Sequence, residues 1–246
     1  MSQRYKMLIQ YDGSAFSGWQ AQKNGNTVQD IIEKALFPLG QGERIKVIGA
    51  GRTDSGVHAL GQVAHFDLMT RLEAPELLRA VNARCPATIR IKSIEPVDHD
   101  FHARYSARSR HYRYQVYTGE NILFRYQAWL EKPLPVDRLN HLAEHFVGDH
   151  DFLSFSKKNP DLDHTRCTVF QSTWTITGKM LTYEVAANRF LHHMVRYMVG
   201  TMVAAAQEKM TVTALINLLH KPREQARIYK APAEGLFLIR VSYEDH

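Results

Sequence analysis

Two cysteines, Cys85 and Cys167, are too few for a disulfide framework, and they form no CxxC pair. That scarcity fits a reducing, cytoplasmic compartment. No apolar run approaches the ~18 residues needed to cross a bilayer, so no membrane span is expected. There is no low-complexity tract to mark a disordered arm. Residues Met1 to Lys6 lead straight into a strand-like pattern, so no signal peptide is expected. What remains is ordinary for a globular protein: 246 residues, 44% hydrophobic and 23% charged. That length suffices for one large domain or two small ones. The formal charge of +6 favours a polyanionic partner, because each neutralised phosphate releases counterions.

The chain reads as α+β. Tyr5 to Tyr11 is apolar and β-prone, and Asp12-Gly13 makes a turn after it. Thr27, helped by Asp30, caps a helix whose stripe is Val28, Ile31, Ile32, Ala35 and Leu36. Ile45 to Ile48 and Val63 to Phe66 read as strands. Pro75 opens a second helix with Leu77, Leu78 and Val81, and Ile89 to Ile94 closes the half as a strand. The second half repeats the order. Tyr112 to Tyr117 is a strand, and Leu139, Leu142, Ala143 and Phe146 form a helical stripe. Thr168 to Thr177 and Leu181 to Ala187 form a hairpin over Gly178-Lys179. A long helix runs from Leu191, a shorter one follows the cap Thr211, and Leu236 to Val241 is the last strand. Each half thus has the ferredoxin-like order βαββαβ. The expected domains are 1–104 and 105–246.

The boundary region is also the most basic stretch. Arg104, Arg108, Arg110 and Arg113 alternate with Tyr105, Tyr112 and Tyr114. Cations for phosphates beside aromatic faces for bases suit single-stranded RNA, although a solvated linker with strand tyrosines has the same composition.

Two tempting motifs fail. Gly49-Ala50-Gly51 follows a strand, but a dinucleotide fingerprint needs a third glycine where Asp54 stands. An aspartate there would repel a pyrophosphate. His141 to His145 matches H-x-x-E-H, yet both histidines face away from the apolar stripe and no third ligand is evident. No metal, nucleotide or other cofactor is therefore expected.

The segment that carries chemistry is Gly51-Arg52-Thr53-Asp54-Ser55-Gly56-Val57-His58-Ala59. A carboxylate on a glycine-flanked loop can be brought close to a ligand by backbone angles that other residues avoid. Arg52 would keep the Asp54 carboxylate ionised, fit to act as nucleophile or base. A plain turn capped by Thr53 or Asp54 is the competing reading. On the helix after Leu191, Arg196 lies ~150° from the middle of the apolar stripe, aimed away from the core. It is either a surface arginine or one directed at a phosphate or carboxylate.

Taken together, these segments resemble the TruA family of tRNA pseudouridine synthases over nearly the whole chain. The resemblance rests on Tyr11-Asp12-Gly13 with Phe16, Gly18, Trp19 and Gln20, on the Gly51 to Ala59 loop, and on Phe101-His102-Ala103-Arg104. It extends through Arg110 to Tyr114, Gly148 with His150, Asp151 and Phe152, Phe190 to Arg196, and Ala231 to Leu236. It implies two ferredoxin-like halves forming a mixed or antiparallel sheet with helices on one side. It implies a cofactor-free isomerisation of uridine at positions 38, 39 and 40 of the tRNA anticodon stem-loop, performed by a cytoplasmic homodimer. By the same resemblance Asp54 is the catalytic carboxylate, Arg52 its ion-pair partner, and Tyr112 the residue that stacks on the target base. Arg196 contacts Asp54 or the flipped nucleotide, and Leu236 packs under the base. Arg108 and Arg110 are expected on the tRNA backbone. Ser55 stands where alanine is usual, and Thr88 where aspartate is usual.

Overall fold

The computed structural model describes residues 2–23, 25–158, 160 and 162–244. The chain divides into two units, Met1–Arg108 with Leu238–His246, and Ser109–Phe237. The sequence reading placed the boundary at 104/105 and kept the C-terminus in the second half. The observed units divide after Arg108 and return the chain from Leu238 onward to the first.

In the first unit the elements are β1 (Gln3–Tyr11), α1 (Val28–Leu36), β2 (Ile48–Gly49), β3 (His58–Leu68), α2 (Ala74–Asn82) and β4 (Ile89–Val97). Strand order is β4-β1-β3, with β2 also on β3, and every pairing is antiparallel. This is the order of a ferredoxin-like βαββαβ unit. Helix α1 begins where expected. The Thr27 hydroxyl oxygen accepts the Asp30 N–H at 3.3 Å and its O–H donates to the Asp30 carboxylate at 2.6 Å. Val28, Ile32, Ala35 and Leu36 are buried, while Ile31 is only half-buried.

The buried face of α1 also carries two polar residues, Gln29 and Glu33. They explain why the strand expected at Ile45 to Ile48 shrinks to Ile48–Gly49. The Val47 N–H donates to the Glu33 carboxylate at 3.0 Å, and the Val47 carbonyl accepts from the Gln29 amide at 3.0 Å. Helix side chains thus occupy the backbone groups that a strand partner would need. Arg44 completes the network by pairing with Glu33 at 2.6 Å.

In the second unit follow β5 (Ser109–Tyr117), β6 (Trp129–Leu130), α3 (Val136–Glu144), β7 (Gly148–Asp151), β8 (Arg166–Thr177), β9 (Met180–Ala187), α4 (Met194–Ala206) and α5 (Val212–His220). Strands run β5-β9-β8-β7 with antiparallel pairing, and β6 joins β5 in parallel. The hairpin forms over Gly178 at φ +59. The short strands β6 and β7 were not anticipated. The last strand, β10 (Leu236–Ser242), begins in the second unit and ends in the first.

Helix α4 starts at Met194, three residues later than the apolar pattern predicts. His193 adopts the left-handed region at φ +67, and a helix cannot run through that conformation. The whole stripe from Leu191 to Val203 is buried as expected, and so are Gly200, Thr201 and Ala204 to Ala206. Chain segment 229–231 crosses the helix at Gly200, where a Cβ would lie 2.4 Å from the Tyr229 carbonyl oxygen.

Candidate active site

Asp54 sits in the loop between β2 and β3, and the backbone of that loop is anchored on both sides. The Thr53 carbonyl accepts the Trp19 N–H at 3.1 Å, and the Gly51 carbonyl accepts from the Gln62 amide at 3.0 Å. The Asp54 carbonyl takes the Val57 N–H at 3.2 Å, closing a turn in which Gly56 has φ +79. Ser55, the departure from the usual alanine, donates its hydroxyl to the Phe16 carbonyl at 3.1 Å. It therefore adds one more tie between the loop and the segment after β1.

Glycines in that segment let the loop come close. A Cβ on Gly13 would lie 2.0 Å from the Val57 carbonyl oxygen, and one on Gly18 would lie 2.6 Å from that of Thr53. Gly18 also has φ +93, a region that side chains disfavour. Beneath the loop, the buried Thr53 hydroxyl meets the Tyr11 hydroxyl at 2.8 Å. Burial pushes the Tyr11 phenol up to about 12, against the hydrogen bonds from Thr53 and Gln62, so it stays neutral. The buried His58 ring sets its Nδ1 3.1 Å from the Gly13 nitrogen and 3.2 Å from the Asp12 carboxylate, tying the turn after β1 to the start of β3. The Asp54 residue is half-buried above this rigid floor.

Arg52 is exposed, and among the described residues its guanidinium makes no ion pair with Asp54. This corrects the pairing expected from the resemblance. An exposed arginine gains too little from one surface contact to hold its long side chain in place. Arg108 is exposed too, and its N–H donates to the Ser242 carbonyl at 2.8 Å. Nearby, Tyr105 is 77% exposed, with the His102 ring 4.4 Å away and the Arg104 guanidinium 5.7 Å from its ring centre.

In the second unit, Tyr112 lies on β5 with its ring edge-on to Phe190 at 5.1 Å. Arg110, two residues earlier, donates to the Asn188 carbonyl at 2.9 Å. Arg196 is half-buried, so the open-surface reading is the wrong one. Its Nε donates to the Ala231 carbonyl at 2.9 Å while its own carbonyl accepts the Ala231 N–H at 3.0 Å. The segment from Ala231 to Leu236 is held from its other end as well. The Tyr114 hydroxyl donates to the Pro232 carbonyl at 2.8 Å, and Gly235 lies so close to β5 that a Cβ would meet the Gln115 carbonyl oxygen at 2.7 Å. Burial, with the Glu234 charge, holds the Tyr114 phenol well above its ordinary range against the pull of Arg196. Leu236 emerges buried from this pinned segment. The second unit thus groups Arg196 and Leu236 around one stretch of backbone. Among the groups that sequence reasoning missed are Tyr11 beneath Thr53 and the paired approaches of Gly13 and Gly18. The motif Tyr11-Asp12-Gly13 with Gly18 carried that signal only as a spacing.

Residues 7–106 and 142–244 match a protein family described as tRNA pseudouridine synthase. The chain is 38% identical over 248 residues to tRNA pseudouridine synthase A of Geobacillus kaustophilus, covering 100% of this chain and 96% of that one. It is 36% identical to the protein of the same name from Acetivibrio thermocellus, covering 97% of this chain and 98% of the other. For that from Dictyoglomus thermophilum the identity is 41%, with coverage of 97% and 99%.

Proposed function

The chain belongs to the tRNA pseudouridine synthase family, and on that premise we propose that it converts uridines 38, 39 and 40 of the tRNA anticodon stem-loop to pseudouridine with Asp54 as the reacting carboxylate. The observation that carries this reading is the placement of Asp54. It is a half-buried carboxylate on a loop whose backbone is fixed by Trp19, Gln62 and two close-approaching glycines. Preorganisation of that kind holds a charged group in place without further ordering when substrate arrives.

The reaction is an isomerisation. The bond from ribose C1′ to uracil N1 breaks, the base turns, and C5 joins C1′. The hydrogen on C5 leaves to water while N1 takes one up, so no cofactor is consumed. An anionic Asp54 can attack the ribose, add to the base, or take a ribose proton. A base cannot react while stacked in a helix, so the target nucleotide must be extruded and held. Tyr112 offers the aromatic face and Leu236 the apolar floor. Arg196, its guanidinium oriented by the Ala231 carbonyl, supplies a directed cation. Arg52, Arg108 and Arg110 serve the substrate backbone, Arg52 from beside Asp54 itself. The enzyme acts as a homodimer in the cytoplasm, and no helix among the described residues is long and apolar enough to cross a membrane.

The test uses tRNA carrying tritium at uridine C5. Wild type must release tritium to water, Asp54→Asn must not, and cytidine at positions 38, 39 and 40 must abolish the release. Release from a tRNA lacking those uridines would assign another target. Binding without release by wild type would leave a silent tRNA-binding protein.

A further inference from the structure

Away from the Asp54 loop, α2 and β4 flank an open surface cleft of about 410 Å³ whose lining includes Leu78, Arg79, Asn82, Arg90, Ile91 and Lys92. Three of its lining residues are cationic and none is acidic. Among the described residues, Arg79, Arg90 and Lys92 make no ion pair and no side-chain hydrogen bond. The one carboxylate on β4, Glu95, is engaged by Lys6 across the pairing with β1 at 2.7 Å. A concavity lined by charges of one sign focuses their potential and draws anions to it.

The backbone is arranged to produce this gathering. β4 is the edge strand of its unit, so one side of it has no strand partner. At Ile91 that side is covered by a helix side chain. The Asn82 amide donates to the Ile91 carbonyl and accepts the Ile91 N–H, both at 2.9 Å. Asn82 ends α2, so this pair of hydrogen bonds ties the last turn, which carries Arg79, to the strand that carries Arg90 and Lys92. The register of β4 on β1 also shifts here. Ile9 faces Ile91 and Leu8 faces Ser93, leaving Lys92 as the extra residue of a bulge. Bulges re-aim a side chain at a sheet edge. Arg90 and Lys92 are both exposed, with Ile89 and Ile91 turned into the core.

We infer that this cleft is a second phosphate-binding site, taking the sugar-phosphate backbone of the substrate tRNA at a place separate from the reacting nucleotide. The inference rests on the function proposed above and names where the first unit grips its substrate. Arg79, Arg90 and Lys92 contact phosphate oxygens and read no base, so they set affinity and register.

The experiment measures Kd for unmodified full-length tRNA across a salt series, for wild type and for the triple variant Arg79→Gln/Arg90→Gln/Lys92→Gln. Each lost phosphate contact lowers the slope of log Kd against log salt by roughly 0.7–0.9, so the triple variant is expected to lose about two to three. KM should rise at least tenfold at moderate salt, while kcat at saturating tRNA stays at the wild-type value. The charge-retaining variant Arg90→Lys should keep the wild-type slope. An unchanged slope in the triple variant overturns the inference, and a site for a small free phosphate predicts that result. Asp54→Asn is measured alongside. If Asp54→Asn still releases tritium at the wild-type rate, the catalytic reading has failed, independently of the slope.

Discussion

Replacing Gly18 by alanine tests whether the clamp on the Asp54 loop matters for chemistry. A Cβ there would lie 2.6 Å from the Thr53 carbonyl oxygen, 3.1 Å from the Asp54 carbonyl carbon and 3.2 Å from the Ser55 nitrogen. Ordinary contact begins at 3.4 Å, so the loop must retreat by about 0.8 Å along that line. The φ of +93 adds its own cost of roughly 1–3 kcal/mol for a residue with a side chain. Displacing a catalytic group by ~1 Å typically costs on the order of 100-fold in rate. Gly18→Ala is therefore expected to lower kcat for tritium release by about 10- to 100-fold, with tRNA affinity within about threefold of wild type, and to lower Tm by several degrees. Gly178→Ala is the control. Gly178 also has positive φ, +59, but nothing lies within 4 Å of its Cβ position. It should lose only about 1 kcal/mol of stability and keep full activity. A Gly18→Ala enzyme with wild-type kcat would refute the clamp.

Other outcomes follow from single contacts. Tyr11→Phe removes the 2.8 Å bond to the buried Thr53 hydroxyl and should cost roughly 1–2 kcal/mol in urea unfolding. A cost below ~0.3 kcal/mol would mean the pair contributes nothing. Asn82→Ala frees both backbone groups of Ile91 and should cost a similar 1–2 kcal/mol. It should also weaken tRNA binding by loosening the α2–β4 cleft, and an unaltered Kd would argue that Asn82 positions nothing there. His65 is pushed down to about 4 by burial, by His102 and by Arg4, with Asp67 opposing them. The native state therefore binds fewer protons than the unfolded chain between about pH 6.5 and 4. Stability is full above that window and is lost as pH falls through it, by about 1–2 kcal/mol between pH 7 and 5. His65→Gln should flatten that part of the pH–stability curve, and an unchanged curve would place the acid sensitivity elsewhere.

The elements read well from the sequence are those whose signals are local. Thr27 with Asp30 and the stripe behind them lie within ten residues, as do Pro75, Leu77 and Val81. Helix α1 starts behind Thr27 as expected, and α2 starts at Ala74, one residue before Pro75, where Glu73 and Glu76 form a capping box. The strand at Ile45 to Ile48 failed because its hydrogen bonds go to Gln29 and Glu33, polar residues on a face that the pattern had not marked as buried. The start of α4 failed because His193 takes a left-handed backbone with no glycine to announce it. In the site, the glycines around Asp54 were a visible sign of an unusual loop. The clamping partners Gly13 and Gly18 are distant in sequence, and only the folded backbone brings them to within contact of it. Arg196 was expected on the side of its helix away from the main stripe, and it is half-buried. That side is not open to water, because residues near Ala231 lie across it and accept the guanidinium N–H.

The most direct measurement is a single-turnover experiment with enzyme in excess over C5-tritiated tRNA, comparing wild type with Asp54→Asn while Kd is determined for both. A substrate bound with similar affinity by both proteins, and tritium freed by wild type alone, is the expected result. Tritium appearing in water at equal rates from the two enzymes would contradict a chemical role for the Asp54 carboxylate.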